Sequence, residues 1–87
     1  MAYYVYVLQS MSSRKFYIGQ TANLKDRLRR HNSGRSRYTR VRGPWELVHF
    51  EEFATRTEAI HREMELKARH SREYLEKVIA ARSSLAS

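Results

Sequence analysis

The sequence predicts one α/β domain of the α+β kind, with its elements in the order β-β-α-β-α-α. Three observations carry this expectation. The run Tyr3-Tyr4-Val5-Tyr6-Val7-Leu8 is β-branched and aromatic with no polar interruption, so it reads as a central strand covered on both faces. Phe16-Tyr17-Ile18 and Trp45 to Phe53 have the same strand character. Between and after them lie helix-period stretches opened by good capping residues.

Taken in order, Tyr4 and Tyr6 share one face of the first strand, while Tyr3, Val5 and Val7 share the other. The polar stretch from Gln9 to Lys15 is a loop, and Phe16 to Ile18 returns as the second arm of an antiparallel hairpin. Gly19 then ends that strand in a tight turn, either through positive φ or because another group comes close. Thr21 or Asn23 caps the first helix, Asp26 favours its dipole, and Leu24 and Leu28 face inward. Asn32-Ser33-Gly34 stops it. A long loop from Asn32 to Pro44 leads into the third strand, whose acids suit a sheet edge.

Thr55-Arg56-Thr57-Glu58 matches a capping box and opens the second helix. Ala59, Ile60, Met64, Leu66 and Ala68 form its apolar arc, with Glu63 inside that arc. A carboxylate facing the core side needs a metal or a partner, and Lys67, one turn on, is a candidate partner. Ser71 caps a third helix with Tyr74, Leu75, Val78 and Ile79 inward. Residues 1–82 make the domain and 83–87 a disordered tail.

Composition narrows the function. The 87 residues carry 17 Lys and Arg against 9 Asp and Glu, a net charge of +8. From Arg27 to Trp45, counting Arg27, there are seven arginines and no acid. Arginine binds phosphate bidentately and stays charged, so this one-sided basic field points to nucleic acid. Arg30, Arg35, Arg37, Arg40 and Arg42, interleaved with Tyr38, fit a surface that tracks a backbone and stacks bases. There is no cysteine, hence no disulfide or thiolate metal site, which agrees with a cytoplasmic location. No stretch resembles a signal peptide, and no apolar run approaches the ~20 residues of a membrane span. Arg27 and His31 sit four apart on one helix face, just after Tyr17 and Gly19, which suits a phosphate-handling site.

Tyr4-Val5-Tyr6, then Tyr17-Ile18-Gly19, then Arg27 and His31, then a late helical Glu63, together resemble the GIY-YIG nuclease domain. Tyr4 stands where the family's glycine would be and Val5 replaces isoleucine, while the second motif matches fully. Tyr38-Thr39-Arg40, Gly43-Pro44 and Arg62 to Lys67 look like the small stand-alone bacterial members. The resemblance implies a three-stranded antiparallel sheet flanked by helices, and metal-dependent hydrolysis of phosphodiester bonds in DNA, in repair or recombination. It makes Tyr6 the general base, which asks for a phenol pKa brought down from about 10 by nearby cations. Tyr17 would position Tyr6, Arg27 would stabilise charge on the phosphate, and His31 would contact phosphate or relay a proton. Glu63 would hold one divalent cation, Mg²⁺ or Mn²⁺. Expected partners are nucleic acid, DNA before RNA, and no membrane, with the chain a monomer or weak dimer. The alternative is a non-catalytic nucleic-acid-binding module on the same fold.

Overall fold

A computed structural model describes residues 2–32, 44–69 and 71–86. The elements are β1 (Tyr3–Ser10), β2 (Phe16–Thr21), α1 (Leu24–Asn32), β3 (Trp45–Phe53), α2 (Arg56–Ala68) and α3 (Arg72–Ala86). The three strands form one antiparallel sheet in the order β2-β1-β3. The apolar run of β1 is explained by its place in the middle, with a core on each face. Val5 and Val7 pack with Ile18, Ala59, Leu66 and Leu75 under α2 and α3. Tyr6 and Leu8 pack with Trp45 on the other face, where Leu24 and Leu28 of α1 close over them.

Local signals set the helix ends. The Asn23 side chain accepts from the Asp26 N–H at 3.0 Å, so Asn23 is the cap of α1. Thr21 Oγ1 instead accepts from the Asn23 N–H at 3.1 Å and shapes the approach. The Thr55–Glu58 capping box is complete at the start of α2. Ser71 Oγ accepts from the Tyr74 N–H at 3.1 Å at the start of α3. At the far end of α1 the Asn32 amide clamps Trp45, accepting from its N–H at 2.7 Å and donating to its carbonyl at 3.1 Å. This ties the end of α1 to the start of β3.

Three expectations need correction. Gly19 does not end β2, which runs on to Thr21 with Gly19 paired to Tyr6. The inward line of α2 is centred on Ala59 and Leu66 with Glu63 between them, while Met64 is 61% exposed and Ala68 lies outside. The expected arc reached too far round the helix, because the inward side is shared with Arg62, which bridges to the sheet. Finally α3 continues through positions 83–86, where a tail was expected. Arg82-Ser83-Ser84-Leu85-Ala86 holds no glycine or proline to stop it.

The pairing of β1 with β3 slips between Val7 and Leu8, so that Val7 faces His49 and Leu8 faces Leu47. Val48 is the extra residue of a bulge. Directly opposed residues share a face. Leu47 therefore joins the α1 side with Leu8, while His49 joins the α2–α3 side with Val7.

Candidate functional site

The site is assembled on the α1 face of the sheet, at the β2 edge. Tyr6 projects from the central strand and leans across Gly19. A Cβ at Gly19 would lie 2.4 Å from the Tyr6 hydroxyl oxygen. The glycine is therefore there for close approach, the second of its two expected reasons. Past it, Tyr6 Oη meets His31 Nε2 at 3.1 Å, in a buried bond spanning 25 positions. The Tyr17 ring stands edge-on to His31 at 4.8 Å and tilted to Tyr6 at 6.4 Å. Trp45 backs Tyr17 at 6.2 Å. Tyr6 is 2% and His31 3% exposed, so the pair is dry.

The electrostatics follow from that dryness. Burial pushes the Tyr6 phenol well above its ordinary range, and the neighbouring Tyr17 and Glu63 push the same way against the Arg27 charge. The Arg27 charge alone therefore does not bring about the depressed phenol that the resemblance implies. One cation does not outweigh desolvation of the phenolate. Burial pushes His31 below its ordinary value, and Arg27 adds to it. Both partners are thus neutral near pH 7. Their bond is a phenol–imidazole hydrogen bond, with Oη–H donating to Nε2 or Nε2–H donating to Oη according to the tautomer.

Arg27 is half-buried on the same helix face as His31, and its charge reaches both Tyr6 and His31. Asp26 draws off its neighbours instead. Its carboxylate accepts Arg29 at 3.0 Å and Arg30 at 3.1 Å. Among the described residues Arg27 has no carboxylate partner. Arg30, expected to bind nucleic acid, is 53% exposed and paired with Asp26. Arg35, Arg37, Tyr38, Arg40 and Arg42 lie outside the described residues.

Glu63 stands on α2, across the sheet from α1, and its charge acts weakly on Tyr6. Its side chain is 19% exposed, and Lys67 Nζ lies 3.6 Å from Oε2. The expected ion pair is present. No three His, Cys, Asp or Glu side chains cluster as a metal cage among the described residues. The donor set is one hard carboxylate with a cation already drawn to it. That fits an ion such as Mg²⁺, which keeps most of its waters and takes further oxygens from a phosphate. Glu63 would hold it.

The two motif tyrosines and His31 thus converge as one cluster, with the charges of Arg27 and Glu63 acting on Tyr6. The chain belongs to the GIY-YIG family, since residues 2–76 match the model described as the GIY-YIG catalytic domain. This is a family of nucleases that act on nucleic acid and generally use a divalent metal. Within it, a UPF0213 protein of Haloquadratum walsbyi is 45% identical to this chain over 67 residues, 76% of this chain and 74% of the relative. A UPF0213 protein of Clostridium perfringens is also 45% identical over 65 residues, 74% of this chain and 69% of the relative. The solution NMR structure of a UPF0213 protein from Bacillus halodurans is similar with a TM-score of 0.58 at 36% identity, covering 93% of this chain and 85% of that one. Its likeness supports the three-stranded, three-helix architecture. No helix among the described residues is long and apolar enough to cross a membrane.

Sequence reasoning missed two features. One is the direct Tyr6–His31 bond. The other is a half-buried network on the opposite face, in which His49 Nε2 donates to Glu51 at 2.8 Å and Arg62 grips the same carboxylate at 2.9 and 3.0 Å. The alternation of polar and apolar residues in Trp45 to Phe53 gave no sign of that network, because the Val48 bulge reverses which residues face in.

Proposed function

We propose that this chain is a divalent-metal-dependent endonuclease that hydrolyses phosphodiester bonds in DNA, selecting structure over sequence. The observation that carries this reading is the Tyr6 hydroxyl drawn over Gly19 onto His31, within reach of the Arg27 and Glu63 charges. A neutral phenol is a poor base alone. With its O–H directed at neutral Nε2, it passes that proton to His31 as its oxygen takes one from the attacking water. The imidazolium left behind costs most in a dry site, and the phosphate placed beside it compensates. Arg27 is a preorganised donor for the charge that builds on the phosphate's non-bridging oxygens. Tyr17 holds the ring pair in place. A metal on Glu63 would supply Lewis acidity for the leaving oxygen. The leaving oxygen then takes its proton from solvent.

The second reading is a binding module without catalysis. The Glu63–Lys67 pair favours it, since Lys67 already neutralises the one carboxylate available to a metal. The test is nicking and cleavage of branched, single-stranded and duplex DNA at low salt with Mg²⁺ or Mn²⁺. Wild type is compared with Arg27→Ala and Glu63→Gln, each checked for folding by circular dichroism. We expect metal-dependent cleavage that falls about 10²–10³-fold in Arg27→Ala, the loss typical of one transition-state donor, and disappears in Glu63→Gln. Binding without cleavage, unaffected by Glu63→Gln, would leave the binding module. In either case affinity falls steeply with added salt, because phosphate contacts release counterions.

A further inference from the structure

We infer that a recess round the β2 edge from the candidate site, on the α2–α3 face of the sheet, is a subsite for one unpaired nucleotide of the bound DNA strand. It lies between β2, the C-terminal end of α2 and the first turn of α3, with a volume of about 540 Å³. That is within the range of cavities that take small organic ligands. Its floor is apolar, formed by Phe16, Ile18 and Leu75. Its rim carries Lys15, Lys67 and Arg72, and no carboxylate lines it. An apolar aromatic floor under three cations suits a flat heterocycle that carries phosphate.

Two features tie the recess to DNA bound at the site. Tyr17 lines it and also stands against His31. Lys67 lines it and pairs with Glu63. A strand whose phosphate lies at Tyr6 and Arg27 would reach this recess by passing round the β2 edge at Tyr17. The base entering it must be unpaired. In a duplex both ring faces are stacked and the pairing edge is closed, so a ring cannot lie on Phe16 and Leu75.

The rim is held in position. The Arg72 guanidinium lies 5.5 Å from the centroid of the Phe16 ring and donates from Nη1 to the Arg14 carbonyl at 3.0 Å. Arg14 is the one described non-glycine residue with positive φ, at 66°. Such a conformation costs energy for an arginine. Here it accompanies a carbonyl aimed at Arg72. The acids that pair with Lys67 and Arg72, Glu63 and Glu76, stay off the lining.

This assignment rests on the nuclease reading, and its test separates the two. Binding would be measured by anisotropy, without divalent metal, for a duplex oligonucleotide and for the same duplex carrying one unpaired 2-aminopurine. Wild type is expected to prefer the unpaired form about tenfold, the equivalent of one stacked base, with a change in 2-aminopurine fluorescence on binding. Lys15→Ala/Arg72→Ala should lose both the preference and the fluorescence change while keeping duplex binding. Lys77→Ala, outside the recess, should lose neither. Equal wild-type affinity for the two oligonucleotides, or a preference untouched in the double variant, overturns the subsite. So does binding of free adenosine monophosphate as tight as that of the unpaired oligonucleotide. If metal-dependent cleavage persists in those cases, the subsite alone has failed. If wild type neither cleaves nor binds any of the DNA, the nuclease reading has failed and the subsite with it.

Discussion

His31 and His49 are both buried imidazoles packed on opposite faces of one three-stranded sheet, His31 from α1 and His49 from β3. His31 touches a phenol, with a guanidinium charge near it. His49 touches a carboxylate that two nitrogens of Arg62 already grip, and Arg62 also pairs with Glu65. Burial pushes the Glu51 carboxyl up, but hydrogen bonds from Arg62 and His49, with their charges, outweigh it and leave it below the usual carboxylate range. The difference teaches what burial does to a histidine. Beside a neutral phenol it is held in its neutral form. Beside a carboxylate held by arginine the bonds lock β3 to α2.

The largest effect should come from Gly19→Ala, which breaks the His31 side alone. The new methyl meets the Tyr6 hydroxyl at 2.4 Å and has to displace a buried ring. We expect about 1–3 kcal/mol of destabilisation in urea titrations, as for an overpacked core, together with loss of cleavage in the protein that stays folded. Retained cleavage would mean that the Tyr6–His31 contact is dispensable.

Glu51→Gln breaks the His49 side. It should cost about 1.5–3 kcal/mol, the range for hydrogen bonds to a charged group, and leave the cleavage rate unchanged. A depressed carboxyl contributes stability above its unfolded value, ordinarily 4.5, and that stability is lost as pH falls through the lower folded value. The variant should therefore lack the wild-type loss of stability below that pH.

A smaller pH effect sharpens the contrast from the other side. The depressed His31 contributes stability that is full above its ordinary 6.5 and is lost as pH falls through the lower folded value. Wild type should weaken on acidification below 6.5, and His31→Gln should show a flatter curve there in denaturant titrations. A wild-type curve with no slope in that interval would show that His31 does not stay neutral. The smallest effect is Met64→Lys. At 61% exposure on α2, it should shift stability by no more than about 0.5 kcal/mol.

These contrasts also show how far the sequence can be read. The uninterrupted apolar run of β1 announced a two-sided strand, and Thr55, Glu58 and Ser71 announced their helices, because these signals are local. Tyr6, Arg27, His31 and Glu63 could be selected by resemblance, but the contact between Tyr6 and His31 depends on strand register and on an absent side chain at Gly19. A strict two-residue period puts His49 on the face of Leu47. The Val48 bulge breaks that period, and nothing in the identity of a valine signals a bulge. The recess draws on Arg14 and Arg72, 58 positions apart, so no local pattern joins them.

The sheet order has a kinetic consequence. β1 and β2 close through a short loop and pair locally, whereas β1 meets β3 at Ser10–Trp45 and Tyr3–Phe53, 35 and 50 positions apart. Contacts so distant in the chain form slowly, after loop-closure entropy has been overcome. Until β3 docks, the hairpin exposes an unpaired edge along its most apolar strand, which is a template for pairing with another unfinished chain. Yield on refolding should therefore fall as protein concentration rises, and the step that protects the chain is the arrival of Trp45 to Phe53.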